Sequence, residues 1–473
     1  MGAMPALEML SSRPPPTFVE EGDKSSRHPT TMSKNITKKL EVFVKWFRSA
    51  TPFIHEFGGG TIVIAFGGEV LSDGELMQLA HDINVLVSLE VRVVLVHGTR
   101  PQVEDQMRQH GVTPRYAEGR RVTDAEALKC VKEANGIVRM EIEATLSTEL
   151  ANSPMAGADI RVSSGNFITA KPFGVHNGVD FMHTGQVRKV DVEGITRRLD
   201  DHEVVLISPI GFSPTGDIFN CTLEDVATSV AVALKADKLI FLVEAMGATD
   251  IKGKHVSQLT AIQAQELLGA NSTLSDDVRY YLPCTIRAVR DGVKRAHLIS
   301  RHVDGAILME LFTHHGIGTM VVLEPQDKLR DAVLADVDGI LNIIEPLVAQ
   351  GILVKRDRAL IEKEIDRFVV LQQDDEIIGC AALYPFPNEK TVELACLAVN
   401  PFYRDGGRGE RILAFAEKRA KEKGFKMLFV LSTQTTQWFL ERGFVETNVD
   451  KLPADKQALY NHQRRSKVYS KSI

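Results

Sequence analysis

No run of apolar residues in this 473-residue chain approaches the roughly eighteen needed to cross a bilayer, so a membrane-spanning segment is not expected. Cysteine is scarce. Cys130, Cys221, Cys284, Cys380 and Cys396 lie far apart and none falls in Cys-x-x-Cys spacing. That excludes a disulfide framework and a cysteine zinc site, and it fits a reducing, cytoplasmic setting with no metal. Positive charge is not in excess: 56 Lys and Arg stand against 62 Asp and Glu, a formal net charge of -6. The basic footprint that nucleic acid or a membrane surface requires is therefore missing. Residues 1–33 lack hydrophobic periodicity and any signal-peptide apolar core, so 1–36 reads as a disordered leader, with Met32 a candidate native start.

What is there has the length for two or three domains. Over 37–56 a helix carries Leu40, Phe43, Val44, Trp46 and Phe47 on one face and Lys38, Lys39 and Lys45 on the other. That apolar face packs either on its own domain or on a neighbouring subunit. From 57 to 324 short apolar strands alternate with helices: Thr61–Phe66, Val91–His97, Glu203–Ser208, Lys238–Val243, Ala296–Ser300 and Gly318–Leu323. The α/β pattern implies a parallel or mostly parallel sheet, with ligands beyond the strands' carboxyl ends. A polar join, Pro325 to Leu329, precedes a mixed α+β part over 329–473.

The most informative stretch runs from Val392 to Glu417. Val392–Val399 reads as a strand, Asn400-Pro401 ends it, and Arg411–Lys423 carries Ile412, Leu413, Phe415 and Ala416 at helical spacing. Between them Gly406, Gly407 and Gly409 let backbone N–H groups at a helix N-terminus converge on a phosphate or pyrophosphate. The spacing Arg404-x-x-Gly407-x-Gly409 resembles the acetyl-CoA signature of the GNAT acetyltransferases. Met427–Thr433 and Trp438 to Gly443-Phe444 are similar to that family's next strand and closing turn. The resemblance implies acetyl-CoA as co-substrate, held by Arg404, Gly407 and Gly409.

Acetyl transfer to an amine needs a neutral amine, a polarised thioester and a proton for the leaving thiolate. Glu393, on an otherwise apolar strand, is the candidate base, acting directly or through water, since desolvation favours a carboxylate that takes protons. Backbone N–H groups at Cys396 and Leu397 are candidates for the thioester oxygen. Direct attack is preferred over a Cys396 acyl-enzyme, because no His pairs recognisably with it. The resemblance places Ser432 as proton donor, with Tyr460 in reserve.

The earlier segment resembles the amino-acid kinase fold, and within it the N-acetylglutamate kinases, through Ile64 to Gly68, Val96-His97-Gly98, Arg121 to Asp124, Ser164 to Phe167 and Leu234 to Leu239. Two departures stand out. Ala65 occupies the position of the kinase lysine, and Thr99-Arg100 replaces a Gly-Gly pair. Phosphoryl transfer rests on charge stabilisation, so the expectation is a kinase fold without kinase chemistry.

The two parts in this order resemble the bacterial N-acetylglutamate synthases, as do Gly351 to Arg358, Cys380 to Pro385, Glu393 to Cys396 and Tyr460 to Ser466. The resemblance implies L-glutamate as acceptor, held by Arg356, Arg464 and Ser466, in a homo-oligomer of the arginine pathway. It also implies L-arginine as effector at Glu310, Gly316 and Gly318, although a plain helix-ending turn explains those glycines equally well.

Overall fold

The computed structural model describes residues 34–270, 274–313, 316–324, 327–373, 376–403, 407–433, 436–461, 464 and 466–473. Arg404, Asp405 and Gly406 lie outside these residues, as do the leader to Ser33, His314, His315, Asp374, Asp375 and Arg465. Helix α1 spans Lys34–Phe57, and Phe43 stacks on Phe47, one turn on, with ring centroids 6.0 Å apart. Among the described residues no helix is long and apolar enough to cross a membrane.

The first sheet has eight strands: β1 (Thr61–Phe66), β2 (Arg92–His97), β3 (Val162–Ser164), β4 (Val204–Ile207), β5 (Lys238–Val243), β6 (Gln258–Thr260), β7 (Arg295–Ser300) and β8 (Thr319–Val322). Their order across the sheet is β6-β8-β7-β5-β1-β2-β4-β3. The ladders are parallel except β7 with β8, in agreement with the mostly parallel sheet expected. Continuous apolar runs such as Ile62 to Phe66 are buried throughout, as they must be when helices cover both faces. Helix α2 (Ala125–Leu146) starts where Asp124 accepts from Ala127 N at 2.9 Å, and α3 (Leu223–Leu234) starts on the cap residue Thr222. The short strands β3 and β6, and a small sheet of Ile168–Pro172, Gly185–Val190, Ile210–Phe212 and Ile218–Asn220, carry too little periodicity to be read from sequence.

The second sheet comprises β9 (Asp327–Asp331), β10 (Phe368–Gln373), β11 (Glu376–Phe386), β12 (Thr391–Val399), β13 (Met427–Ser432), β14 (Val445–Thr447) and β15 (Lys467–Ser472), in the order β9-β10-β11-β12-β13-β15-β14. One expectation is corrected here. The described part of the polar join is strand: Asp327 to Asp331 pair antiparallel with Gln373 to Val369. Polar side chains are tolerated on this edge strand because buried Asp327 accepts from Arg408 Nε at 3.2 Å and from Arg411.

Helix α5 (Val337–Ala349) covers one face through Ile340, Ile343 and Ile344, packed with Cys380, Ala382 and Cys396. On the other face α6 (Arg408–Glu422) buries Ile412, Leu413 and Ala416 against Val369, Ile378, Leu394 and Leu428. Each such aliphatic side chain contributes about 1.5–3 kcal/mol relative to leaving it in water. Gly379 permits the approach of α6, since a Cβ there would stand 2.7 Å from Ile412 Cδ1. The helix begins at Arg408, three residues before the expected Arg411, so Gly409 lies within its first turn.

Candidate active site

β12 and β13 run parallel and pair at Thr391↔Met427, Val392↔Leu428 and Glu393↔Phe429. Beyond Glu393 they part, β12 staying with β11 and β13 with β15. The strands open like a V. Residues 394–397 then face 430–432 across a gap, with Glu393 at its apex. Three residues further along β12 the ladder is irregular: Ala382 pairs with Ala395 but Cys380 with Ala398, so Cys396 and Leu397 stand opposite the single residue Ala381. Cys396 takes a left-handed backbone, φ 51°, a conformation that costs a non-glycine residue about 1–3 kcal/mol. Such a bulge takes a main-chain group out of the ladder beside the open cleft. Burial pushes the Cys396 thiol up to about 11, so it is protonated at neutral pH, which suits a packing role better than a nucleophilic one.

Glu393 is only 6% exposed. Its carboxylate pairs with Lys456 Nζ at 2.7 Å, from the short helix α7 (Ala454–Ala458). Opposite Glu393 in the antiparallel ladder, and therefore on the same face, stands Tyr384. The Tyr384 hydroxyl donates to Glu364 at 2.9 Å and accepts from Arg356 Nε at 3.2 Å. The guanidinium carbons of Arg356 and Arg367 lie 5.6 and 5.0 Å from its ring centroid. Burial pushes this phenol up to about 12, which keeps it protonated and able to donate. Tyr384 thus links Arg356 to the face that carries Glu393.

The remaining candidates cluster at the other side of the opening. Buried Ser432 ends β13 and pairs in register with Lys467, the neighbour of Ser466. It stands three residues along the strand from Phe429, the register partner of Glu393, a separation of about 10 Å. Tyr460 donates its hydroxyl to the Ser466 carbonyl at 2.5 Å. Arg464 Nη2 donates to the Gly351 carbonyl at 3.2 Å and to that of Ile352, while its Nε is buried with no partner. The same 351–356 loop holds both arginines together, since Arg356 also reaches the Val354 carbonyl at 3.4 Å.

At the far end of β12, Gly407 caps α6 with φ 71° and no side chain occupies the cap. The first helical amides of α6 lack intrahelical partners, so its N-terminus favours an anion. Gly409 faces Trp438: a Cβ there would lie 3.2 Å from the indole. Arg408 and Arg411 turn to Asp327, and Arg408 Nη2 also donates to Gln258 of β6 at 3.0 Å.

In the first sheet, Glu310 on α4 (Ala306–Phe312) is buried. It accepts from His297 Nδ1 at 2.7 Å, Ile317 N at 2.7 Å and Gly318 N at 2.9 Å. A Cβ on Gly316, where φ is 57°, would lie 2.2 Å from Glu310 Oε2. Glu310, Gly316 and Gly318 therefore form one unit, with His297 added. Burial pushes the Glu310 carboxyl up, but His297 and the two amides outweigh it and hold it below its usual range. Burial, outweighing Glu310, holds His297 below its ordinary value. A neutral ring that donates from Nδ1 presents a lone pair at Nε2, and that atom is buried without a partner. An anionic carboxylate beside an unpaired acceptor is a setting for a cation rich in N–H donors.

Sequence reasoning missed Tyr384, Lys456 and His297. Tyr384 reaches Glu393 only through hairpin register, and Lys456 lies 63 positions downstream of the carboxylate it pairs with, so neither left a local signal.

Comparison with known proteins bears on the two domains and on the family. The amino acid kinase family matches residues 60–300, and the acetyltransferase (GNAT) family matches residues 341–444. These define the class: an acetyltransferase domain preceded by an amino-acid-kinase-like one. An amino-acid acetyltransferase of Ralstonia nicotianae is 51% identical over 437 residues, 92% of this chain and 97% of that protein. That of Azotobacter vinelandii is 47% identical over 434 residues, 91% and 99%. A crystal structure of N-acetylglutamate synthase from Neisseria gonorrhoeae complexed with coenzyme A and L-arginine is similar with a TM-score of 0.77 at 36% identity. Its complex with coenzyme A and N-acetyl-glutamate gives 0.58 at 37%, and each match covers 91% of this chain and 99% of the other. The chain belongs to the amino-acid acetyltransferase family.

Proposed function

We propose that this chain transfers the acetyl group of acetyl-CoA to the α-amino group of L-glutamate, giving N-acetylglutamate and CoA in the first step of arginine biosynthesis. The observation that carries the reading is the position of Glu393, buried at the point where β12 and β13 part and paired with an ammonium group. An amine docked there passes its proton to Glu393, directly or through a water, and attacks the thioester carbon. The amides at the Cys396–Leu397 bulge receive the developing oxyanion. The C–S bond breaks and Ser432 returns a proton to the thiolate. The first turn of α6, with Gly407 and Gly409, and with Arg404 beside it in sequence, accepts the pyrophosphate. Arg356, Arg464 and Ser466 hold the acceptor's carboxylates, a task suited to guanidinium forks.

We take 57–324 as a regulatory domain and 329–473, with the edge strand that begins at Asp327, as the catalytic one, in a cytoplasmic homo-oligomer. L-arginine binds at Glu310, with its guanidinium toward that carboxylate and His297 Nε2. The support is a buried anion and a partnerless acceptor side by side. Free-thiol release from acetyl-CoA, measured with each amino acid in turn and with and without arginine, tests both statements. Glutamate-selective release that responds to arginine is expected. Equal release with aspartate, or none with glutamate, refutes the substrate assignment, and an arginine-independent rate refutes the effector site.

A further inference from the structure

The group that occupies Glu393 is itself a primary amine. Lys456 Nζ lies 2.7 Å from Glu393 Oε2, and its side chain remains 20% exposed, so the amine stands at the margin of the cleft rather than sealed in the core. Chemically, Lys456 presents to the base the same ammonium that an amino-acid acceptor must present. The bulge at Cys396 and Leu397 opens three residues along the same strand.

We infer that Lys456 is an internal acceptor: acetyl-CoA acetylates its Nζ when the amino-acid site is empty, and glutamate protects it. This rests on the reading of Glu393 as base and of the cleft as the acetyl-CoA site. The step balances as the main reaction does. Glu393 takes a proton from the ammonium, the nitrogen attacks the thioester carbonyl, an amide C–N bond forms and the C–S bond breaks. The thiolate leaves as CoA after gaining a proton, and the product is Nε-acetyl-Lys456. The modification removes the positive charge and places an uncharged amide on Glu393, so each modified chain loses its amine-binding position. Glutamate opposes this by displacing the lysine, which makes saturation with the acceptor a condition for sustained turnover.

The test incubates the full-length protein with acetyl-CoA, with and without L-glutamate. It follows the peptide containing Lys456 by mass spectrometry while thiol release is measured in the same tubes. One acetyl group on Lys456, suppressed by glutamate and formed about a hundred-fold more slowly in Glu393→Gln, supports the inference. The Lys456→Arg chain keeps a cation at Glu393 and should lose that acetylated peptide while other lysines stay at their background level. Turnover in the tube with glutamate alongside an unmodified Lys456 in the tube without it, or modification at the same rate in Glu393→Gln, overturns the inference alone. If neither glutamate nor Lys456 is acetylated, the reading of the cleft falls with it.

Discussion

Tyr384→Phe isolates one contact in the proposed site. The substitution keeps the ring beside the guanidiniums of Arg356 and Arg367, and removes the oxygen that accepts from Arg356 Nε and donates to Glu364. Hydrogen bonds to charged groups contribute about 1.5–3 kcal/mol. The bond to Arg356 is long, 3.2 Å, and the guanidinium keeps a contact with the Val354 carbonyl, so the lower end applies. About 1.5 kcal/mol corresponds to about a tenfold change in an equilibrium constant. If Arg356 holds a glutamate carboxylate, the KM for glutamate should rise about tenfold. The KM for acetyl-CoA and kcat should change little, because the first turn of α6 and Glu393 do not depend on that oxygen. Steady-state kinetics with each substrate varied in turn give the answer. Equal increases in both KM values would indicate general loosening of the sheet, and a kcat loss with an unchanged glutamate KM would remove Arg356 from substrate binding.

Glu393→Gln should lower kcat by about 10²–10⁴, the range for loss of a general base, while acetyl-CoA still binds by equilibrium titration. Gly316→Ala places a Cβ 2.2 Å from Glu310 Oε2 on a left-handed residue, so the arginine concentration giving half its effect should rise at least about tenfold in the thiol assay. Buried Asp82 has a pKa raised from 3.8 to about 7, chiefly by desolvation, with Asp304 adding to it and a hydrogen bond from the Ile307 backbone opposing. The folded state favours its neutral form, so the stability it contributes is present below 3.8 and is lost as pH rises through about 7. Asp82→Asn does not ionise. Its melting temperature relative to the parent chain should therefore climb between pH 5 and pH 8, and a pH-independent difference would contradict the burial argument.

Six of the eight strands of the first sheet were legible because both faces are covered: five consecutive buried residues in β1 cannot be mistaken for a loop. Helix α6 was legible from Ile412, Leu413 and Ala416 at helical spacing, although it starts three residues before the expected Arg411. Glu393 was legible as a lone charge in an apolar strand. The V-shaped opening was not, since it depends on where β13 parts from β12 while keeping β15, a matter of register between segments far apart in the chain. The bulge at Cys396 was hidden for a related reason, as no glycine marks its left-handed backbone. The strand at Asp327 was masked by its polarity, which only the distant Arg408 and Arg411 explain.

The kinase-like sheet carries a cavity of about 450 Å³ beyond its strands' carboxyl ends, where that fold would hold a phosphoryl donor. Two of its arginines are already engaged. Arg301 is bound to Asp73, Glu75 and Glu244, and Arg121 to Tyr116 and Glu104. The Glu69 carboxylate lies over Gly67, 2.1 Å from where a Cβ would stand, so an anion meets the backbone that a phosphate would approach. Ala65, buried in β1, brings no cation to this cavity, and Arg120, which also lines it, lies 4.8 Å from the Phe173 ring centroid with its Nη1 buried and unpartnered. The opposite edge of the same sheet is the part joined to acetyl transfer. Strand β8 begins directly after Gly318, Met320 of β8 pairs with Gln258 of β6, and Gln258 accepts from Arg408, the residue after Gly407. The turn that clasps Glu310 and the turn proposed for pyrophosphate are thus separated by two strands and one side chain. Under the proposed function, that short connection is the route by which arginine at Glu310 reaches the pyrophosphate turn.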